Sequence, residues 1–438
     1  MSLYSLSSLP DSIINNTVSN KNSDDSNIIT QLNLFYDNIQ FSQENILWNG
    51  SLSTILLFPS EHVCAKNWVI KTLGYKKNEL IIQHEIEIYK HLFLTSSLQN
   101  HFLHFRTLEN PPYTIQNDIN KSNNDSINNS LCLFLERCQL VDFFDIIYNT
   151  GPLPEKFAFI LFKKVLDCVE YMHSLNVAHL DLKLEQILID QYYNIKLSDF
   201  GLANHFNPLE RNTILFKNRD GTADFQAPEI RNNSFRHAIY LDGPAIDVWG
   251  LGSLLFITLF GVRAFNSANS EKCCYYRVWS NGSNKYKRTF WKWIRHHLKD
   301  KARNEQEEEE EEEGGEEKEE ENKNKKEEEQ KEEKKEEQIQ LGKEKIRHIK
   351  YNNMIEITKL THSNLIKDIF YQMLHPSPEH RISISEIRKH PWYLKFNSSS
   401  NFSNSSSSSS SSINSINDNL IEEFKQELKA RILLSKKN

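Results

Sequence analysis

The segment from His179 to Gly201, HLDLKLEQILIDQYYNIKLSDFG, holds side chains whose types suit chemistry on a charged group. Asp181 and Asp199 are two of its acids, and Lys183 and Gln186 lie between them. Carboxylate and amide oxygens bind hard cations such as Mg²⁺, and a carboxylate also accepts a proton. A lysine neutralises negative charge. These residue types suit the transfer of an anionic group that a metal ion holds.

Further motifs precede and follow this segment along the chain. They are WVIK (68–71) and HEIEIYKHL (84–92) upstream, and GTADFQAPE (221–229), DVWGLG (247–252) and HPSPEHRISISEIRKHPW (375–392) downstream. In residue type, order and spacing the set resembles the signature motifs of eukaryotic protein kinases. Any one motif is weak evidence, whereas six in order are specific. The resemblance covers residues 41–393 apart from two insertions.

The resemblance implies transfer of the γ-phosphoryl group of ATP to a protein hydroxyl, with ATP and Mg²⁺ or Mn²⁺ as cofactors. Asp181 matches the catalytic Asp, which accepts or orients the hydroxyl proton, and Lys183 would neutralise charge on the phosphoryl group. Asp199 matches the metal-binding Asp, and Gln186 stands where the family has a metal-binding Asn. Lys183 and Thr222 match the serine/threonine subclass, so the expected partner is a protein substrate bearing Ser or Thr.

Lys71 is expected, by the same resemblance, to contact the nucleotide phosphates and to be held by an ion pair with Glu85. Lys66 is the alternative candidate for this lysine. The other nucleotide-binding residues that the resemblance implies are Leu47, Trp48, Gly50, Ser53 and Ile55 around the phosphates, and Glu136, Cys138 and Asp142 near the adenine and ribose. Leu135 would be the gatekeeper.

Glu185 occupies the position that, in kinases preferring basic substrates, meets an Arg near the target Ser. The alternative is a plain solvated acid. A substrate with basic residues near its Ser or Thr is therefore one expectation. Glu229 and Arg381 are expected to form a buried pair, and Asp247 and Trp249 to belong to a central buried helix, all as scaffold.

Three positions depart from the family pattern. The phosphate loop reads WNGSLS (48–53) and keeps only Gly50, although glycine lets backbone amides approach a phosphate closely. Gln186 is one methylene longer than Asn, and Mg²⁺ demands near-ideal geometry. Leu180 replaces the Arg that pairs with a phosphorylated activation segment, so phosphorylation of that segment is not the expected main switch.

Two functions follow from this pattern. One is an active serine/threonine kinase, because the charged catalytic residues are all present. The other is a catalytically impaired pseudokinase that acts as a binding or scaffolding module, which the altered phosphate loop and Gln186 favour. Nucleotide binding with and without Mg²⁺ distinguishes the two.

The composition excludes several other classes. The chain has 438 residues and a net charge of −7, and one acidic run carries more than this whole excess, which argues against nucleic-acid binding. Its six cysteines show no zinc spacing and indicate a reducing compartment; they are Cys64, Cys132, Cys138, Cys168, Cys273 and Cys274.

The longest apolar run, 254–260, is far shorter than the roughly 20 residues that span a bilayer, and no secretory signal is expected. A cytoplasmic protein without a membrane partner is expected, with the nucleus as an alternative.

The kinase resemblance implies an α+β, bilobal fold that positions the site, with a small β-rich lobe and a larger helical lobe. The expected organisation is a disordered segment at 1–40, an N-lobe at about 41–138 with an Asn-rich insertion at 114–130, a C-lobe at about 139–393 with an acidic insertion at about 299–345, a Ser-rich linker at 394–418 and a C-terminal amphipathic helix at 419–438. Between 305 and 340 the chain has 20 Glu and 7 Lys, which cannot form a core. An acidic spacer is expected there, with a docking site for a basic partner as the alternative.

Periodicity predicts three helices and a strand. Pro154 is expected in the first turn of one helix, and 246–260 is apolar nearly all round, as in a buried helix. Residues 194–197 read as a short strand. In the C-terminal helix, Leu420, Phe424, Leu428 and Ile432 recur every four residues, so this helix either docks on the main domain or binds a partner or regulator.

Overall fold

The structure, a computed structural model, describes residues 46–49, 53–57, 68–73, 79–93, 102, 105–108, 132–138, 140–215, 225–231, 239–313, 357–397 and 418–435. Gly50, Lys66, Thr222 and the segments predicted as 1–40, the Asn-rich insertion and most of the Ser-rich linker lie outside the described residues. The chain divides into two units, Met1–Arg137 and Cys138–Asn438.

The first unit contains one antiparallel sheet. Its strands are β1 (Ile46–Asn49), β2 (Ser53–Leu57), β3 (Trp68–Leu73), β4 (Phe105–Leu108) and β5 (Cys132–Glu136), in the spatial order β1-β2-β3-β5-β4. Helix α1 (Glu79–Phe93) packs against β5. Ile86, Tyr89 and Leu92 recur at three-residue spacing on its buried face.

The second unit is mostly helical. Its helices are α2 (Phe143–Thr150), α3 (Glu155–Ser174), α4 (Pro228–Arg231), α5 (Gly243–Phe260), α6 (Cys274–Ser280), α7 (Asn284–Glu313), α8 (Asn364–Met373), α9 (Ile384–Ile387), α10 (Pro391–Asn397) and α11 (Asp418–Ser435). Three two-stranded ribbons join β6 (Val177–Ala178) to β9 (Asn204–His205), β7 (Ile187–Ile189) to β8 (Ile195–Leu197), and β10 (Asn212–Leu215) to β11 (Ile239–Asp242). The predicted α+β class and the β-rich and helical division are confirmed.

Helix α5 forms the centre of this unit, and every one of its residues is buried. Its length and apolarity would also suit a membrane span, but it is buried along its length, as a core helix is. Asp242 caps its start by accepting a hydrogen bond from the backbone N–H of Ala245. Gly261, at φ 65°, ends it in the left-handed conformation that favours glycine.

The other predicted elements form with small differences in their bounds. Helix α3 starts at Glu155, one residue after Pro154, and the predicted strand is β8. Helix α7 continues through Glu313, so the start of the acidic tract is helical. Helix α11 packs against α2 and α3, where Phe424 lies 5.9 Å from Phe157 between ring centroids.

Candidate active site

The catalytic segment is fixed to helix α5 by one buried carboxylate. Asp247 accepts hydrogen bonds from the backbone N–H groups of His179 at 2.8 Å and Leu180 at 2.7 Å. Its Oδ2 also lies 2.8 Å from Nε2 of His173. Because three donors converge on a fully buried acid, the backbone that precedes Asp181 has little freedom.

The backbone just before the predicted catalytic Asp is strained. Leu180 has φ 69°, a left-handed conformation that non-glycine residues rarely adopt, and its side chain is buried. The hydrogen bond from its N–H to Asp247 helps to hold this conformation. Leu180 therefore occupies a packed apolar position and supplies no cation.

Helix α5 also approaches the catalytic segment closely at a glycine. A Cβ on Gly250 would lie 2.9 Å from Cβ of Leu182 and 3.4 Å from its carbonyl oxygen. Any side chain there would push the segment that carries Asp181 and Lys183 away from the helix. The absence of a side chain at Gly250 is a requirement of the site.

Asp181, Lys183 and Gln186 meet in the second unit. Oδ2 of Asp181 lies 3.2 Å from Nζ of Lys183 and accepts a hydrogen bond from Nε2 of Gln186 at 3.0 Å. The loop continues into a 3-10 turn, Leu184–Gln186, and then into β7. The Asp181 carboxylate is thus oriented by two donors from its own loop.

Ser198, the residue before Asp199, is hydrogen-bonded to the loop that carries Asp181 and Gln186. The N–H and the hydroxyl of Ser198 both donate to the carbonyl oxygen of Gln186 at 2.9 Å. Asp199 has φ 62°, and its Oδ1 lies 3.4 Å from the N–H of Gly201. Phe200 is buried with its ring centroid 5.5 Å from that of His179. The segments that carry Asp181 and Asp199 are therefore joined through Ser198.

The donor set fits a magnesium ion. Oε1 of Gln186 is buried and has no hydrogen-bond partner in the described part of the chain, although a buried amide oxygen normally has one. Among the described residues there is no cluster of three His, Cys, Asp or Glu side chains that could hold a metal. One carboxylate and one amide oxygen suit Mg²⁺, which keeps several waters and phosphate oxygens as further ligands.

The expected ion pair in the first unit is present. Nζ of Lys71 in β3 lies 2.9 Å from Oε1 of Glu85 in α1, and both side chains are buried. Ile55 and Leu133 are the neighbours of Lys71 across the sheet. A buried pair of this kind holds the lysine in one orientation, which a surface pair does not.

The other predicted nucleotide-binding residues of this unit lie on three strands. Leu47 and Trp48 are in β1, and Ser53 and Ile55 are in β2, with Trp48 opposite Ile55. Gly50 lies in the connection that is not described. Leu135 and Glu136 end β5, Leu135 is buried, and Cys138 follows as the first residue of the second unit.

Asp142 begins helix α2 and carries an unusual carboxyl group. Its Oδ1 accepts from the N–H of Asp145 at 2.8 Å as the helix cap. Burial, with smaller contributions from the Asp145 and Glu185 carboxylates, raises the pKa of Asp142 to about 6. Oε2 of Glu185 is buried and has no hydrogen-bond partner among the described residues. Two acids therefore share one poorly solvated neighbourhood.

The expected scaffold pair is also present. Arg381 donates two parallel hydrogen bonds to Glu229, from Nη1 to Oε1 at 2.8 Å and from Nη2 to Oε2 at 3.0 Å. Nη1 also donates to the carbonyl oxygen of Ala245 at 2.6 Å, and the guanidinium lies over the Trp249 ring. This pair ties the motif GTADFQAPE to helix α5.

Arg431 is a buried side chain that sequence reasoning did not single out. It lies on α11, and only 1% of it is exposed. The sequence contained a signal for this residue. An arginine between Leu428 and Ile432 lies on an apolar stripe, and its guanidinium must form hydrogen bonds if that stripe is buried. The four-residue spacing of apolar residues predicted the helix but not the function of the charge within it.

Comparisons with known proteins agree with these motifs. A family model described as "Protein kinase domain" matches residues 41–393. The chain is similar to the probable serine/threonine-protein kinase KCC4 of Saccharomyces cerevisiae, with 36% identity over 144 residues, 33% of this chain and 13% of that protein. It is also similar to the probable serine/threonine-protein kinase KIN1 homolog of Encephalitozoon cuniculi, with 41% identity over 128 residues, 29% of this chain and 21% of that protein.

A third relative is the serine/threonine-protein kinase GIN4 of Saccharomyces cerevisiae, with 36% identity over 144 residues, 33% of this chain and 12% of that protein. The matched segments thus span between 12% and 21% of these three relatives.

Proposed function

Because the chain belongs to the protein kinase family, in its serine/threonine group, we propose that it transfers the γ-phosphoryl group of ATP to Ser and Thr hydroxyls of proteins. The observation that carries this proposal is the arrangement around Asp181. Its Oδ2 has Lys183 at 3.2 Å and Gln186 at 3.0 Å, while the Gln186 oxygen is left for a cation. Phosphoryl transfer needs positioned charge more than covalent chemistry, and these groups supply it.

In this proposal Asp181 accepts a hydrogen bond from the substrate hydroxyl and orients its oxygen toward the phosphorus. Gln186 fixes the carboxylate through Nε2, so that Asp181 does not rotate away from the hydroxyl. Lys183 moves its ammonium from Asp181 toward the transferred phosphoryl group as negative charge develops there. Each of these roles uses a contact within the catalytic loop.

Cofactor binding is proposed for residues of both units. Lys71, which Glu85 holds at 2.9 Å, would bind phosphate oxygens of ATP. Asp199 and Gln186 would hold Mg²⁺ or Mn²⁺, which when bound supplies positive charge to the phosphates. Leu47, Trp48, Gly50, Ser53 and Ile55 would adjoin the phosphates, and Glu136, Cys138 and Asp142 the adenine and ribose.

A pseudokinase is the second candidate function. The observations that favour it are the loop WNGSLS, where family glycines are replaced, and Gln in place of Asn at 186. The hydrogen bond from Gln186 to Asp181 argues for the active enzyme, because the longer side chain still reaches the catalytic carboxylate.

The protein substrate is proposed to carry a basic residue near its Ser or Thr. Support comes from Glu185, whose Oε2 is buried without a partner among the described residues, and from the nearby Asp142. A guanidinium would satisfy both carboxylates at once, because it presents several donors in a fixed plane.

The test is transfer of label from γ-labelled ATP by the purified full chain, with Mg²⁺ or Mn²⁺ and a mixed pool of basic peptides. Asp181→Ala should abolish transfer, whereas Glu271→Ala, which removes an exposed carboxylate elsewhere, should not change it. Transfer that is equal in wild type and Asp181→Ala would overturn the proposal. Metal-independent nucleotide binding without transfer would instead support the pseudokinase.

A further inference from the structure

The guanidinium of Arg431 is inserted into the connection between α2 and α3. Its Nη1 donates to the carbonyl oxygens of Thr150 at 3.2 Å and Gly151 at 2.8 Å, and lies 2.9 Å from Oγ1 of Thr150. Its Nη2 donates to the carbonyl oxygen of Pro152 at 3.1 Å. One side chain therefore satisfies three consecutive carbonyl groups, that of the last residue of α2 and those of the two residues after it.

These carbonyl groups need such a partner. The last C=O groups of a helix have no intrahelical donor, and the end of α2 is buried, since Thr150 is 1% exposed. Gly151, at φ 78°, ends the helix and donates only to the carbonyl oxygen of Ile147. A positive charge at this end also complements the helix dipole. Arg431 thus acts as a cap that lies 281 residues away in sequence from Thr150.

The cap is itself held firmly in α11. Nε of Arg431 donates to Oε1 of Glu427 at 2.7 Å, one helical turn earlier. Phe424, Leu428 and Ile432 are buried on the same face of α11. An exposed ion pair between Lys156 and Glu423 at 2.7 Å lies at the edge of this contact. The guanidinium is therefore preorganised and loses little freedom when it binds the carbonyl groups.

The opposite end of α2 carries Asp142 and adjoins the catalytic loop. Asp142 caps the helix and forms a backbone bridge with Leu188. Along its buried face, α2 packs against the turn Leu184–Gln186 and against β7. Helix α2 is only eight residues long, so a change at its last turn lies two turns from Asp142.

We propose that Arg431 is a positioning residue, which holds α2 so that Asp142 and the adjoining turn Leu184–Gln186 keep the geometry that binds nucleotide and substrate. The inference rests on the proposed function, because that function assigns Asp142 to the nucleotide and, together with Glu185, to the basic residue of the substrate. Helix α11 then supports the binding site in cis through Arg431 alone. Its apolar face is already covered by α2 and α3, so this face is not available to a separate partner.

The experiment compares Arg431→Met and Arg431→Lys with Lys429→Met in the full chain. Lys429 is an exposed cation on the same helix, so its replacement is a matched loss of charge. Hydrogen exchange of residues 143–151 should accelerate by about tenfold in Arg431→Met, because buried carbonyl groups lose their donors. The Kd for ATP with Mg²⁺ should rise by about fivefold with little change in kcat, and Arg431→Lys should restore part of the loss. Lys429→Met should match the wild type.

A second comparison separates positioning from general stability. In an Asp142→Asn background, Arg431→Met should weaken ATP binding by less than about twofold, since the residue through which it acts is already changed. Equal weakening in both backgrounds, or unchanged exchange of residues 143–151, would overturn the inference. So would exchange that accelerates equally in α3 and α5, which would mark a purely structural residue. If Arg431→Met does not fold, Arg431→Lys makes the same comparison.

The same measurements distinguish failure of the proposed function from failure of the inference about Arg431. A wild-type chain that binds no nucleotide would refute the nucleotide site, and the binding part of this inference with it. The exchange of residues 143–151 would still decide whether Arg431 anchors α2.

Discussion

Nε2 of Gln186 donates to Oδ2 of Asp181 at 3.0 Å, while Oε1 of the same side chain is buried with no hydrogen-bond partner among the described residues. One amide therefore directs its donor to the Asp181 carboxylate and keeps its acceptor without a partner among the described residues. In the proposed function that oxygen binds the cation, which would let Gln serve at a position where the family has Asn. It also makes Gln186 the residue whose substitution most directly tests activity.

Gln186→Leu should reduce phosphoryl transfer by at least about a hundredfold, because it removes a donor to Asp181 and a ligand for the metal. The thermal midpoint should not fall, since the substitution also removes a buried oxygen without a partner. Steady-state kinetics and thermal unfolding of the same preparations measure both effects.

Gln186→Asn is the matched variant for this prediction. It keeps both amide atoms and should lower the Mg²⁺ concentration that gives half-maximal activity. If Gln186→Leu kept more than half of the activity, neither the metal ligand nor the orientation of Asp181 would depend on this side chain.

Strand β10, which lies within the activation segment (202–226), is held by backbone pairing. Strands β10 and β11 pair with Thr213 opposite Leu241, and Nε of Arg211 lies 3.2 Å from Oδ2 of Asp242. The N–H of Gly243 donates to the carbonyl oxygen of Arg211 at 3.1 Å. These contacts order strand β10 without a phosphate, and Leu180 supplies no arginine that would pair with one.

Thr213→Ala and Thr213→Glu should therefore each keep activity within about twofold of the wild type, since neither changes the backbone pairing. Treatment with a phosphatase should have equally little effect. Peptide phosphorylation rates measure this outcome, and a tenfold fall in either variant would show that modification of Thr213 is a switch after all.

The carboxyl group of Asp142 should make substrate binding depend on pH. Burial raises its pKa from an ordinary value of 3.8 to about 6, so it carries charge at pH 7.5 and is mostly neutral at pH 5. KM for an arginine-containing peptide should rise by about fivefold over that range, because the attraction of one carboxylate is lost. The measurement is KM against pH.

Asp142→Asn is the control, and its KM should be flat between pH 5 and 7.5. The free energy of unfolding should change in the direction opposite to substrate affinity and increase as the pH falls. The reason is that the folded protein binds the Asp142 proton more tightly than the unfolded chain does. The contribution of Asp142 to stability is complete below pH 3.8 and is lost as the pH rises through about 6. A KM that fell as the pH fell would contradict this assignment.

Gly250→Ala should lower stability by about 1–3 kcal/mol, because the new methyl group would lie 2.9 Å from Cβ of Leu182. It should also lower kcat, since the displaced loop carries Asp181 and Lys183. The control is Gly252→Ala on the same helix, where the new Cβ would meet Leu374 instead. That variant should be less stable but keep kcat below its melting range, and equal kcat losses in both would contradict the prediction.

Deletion of residues 316–337 should leave the thermal midpoint within about 2 °C of the wild type, because a Glu- and Lys-rich tract buries no core. The deletion begins beyond Glu313, where helix α7 ends. Thermal unfolding of the deletion variant and the wild type at two salt concentrations measures this difference in thermal midpoint. A large fall would mean that the tract is not an insertion into the C-lobe but part of its structure.

Much of the fold was predictable because its patterns are local. The apolar run 246–260 lies in the buried helix α5, and the four-residue spacing of Phe424, Leu428 and Ile432 identifies the buried face of α11. The pairs Lys71–Glu85 and Glu229–Arg381 followed from family motifs that specify both partners. The ends of helices were less predictable, since α7 runs to Glu313 through residues whose charge suggested a separate segment.

The sequence by itself determined which residues match the catalytic motifs of the family, because type and order along the chain define those motifs. Only the tertiary structure decided how Asp247 holds the backbone at Leu180, how Gln186 directs its amide nitrogen to Asp181, and why Gly250 has no side chain. It also decided the place of Arg431, whose partners lie about 280 residues away. Local patterns carry no record of such contacts, because burial and hydrogen bonding between distant segments arise only when the chain packs.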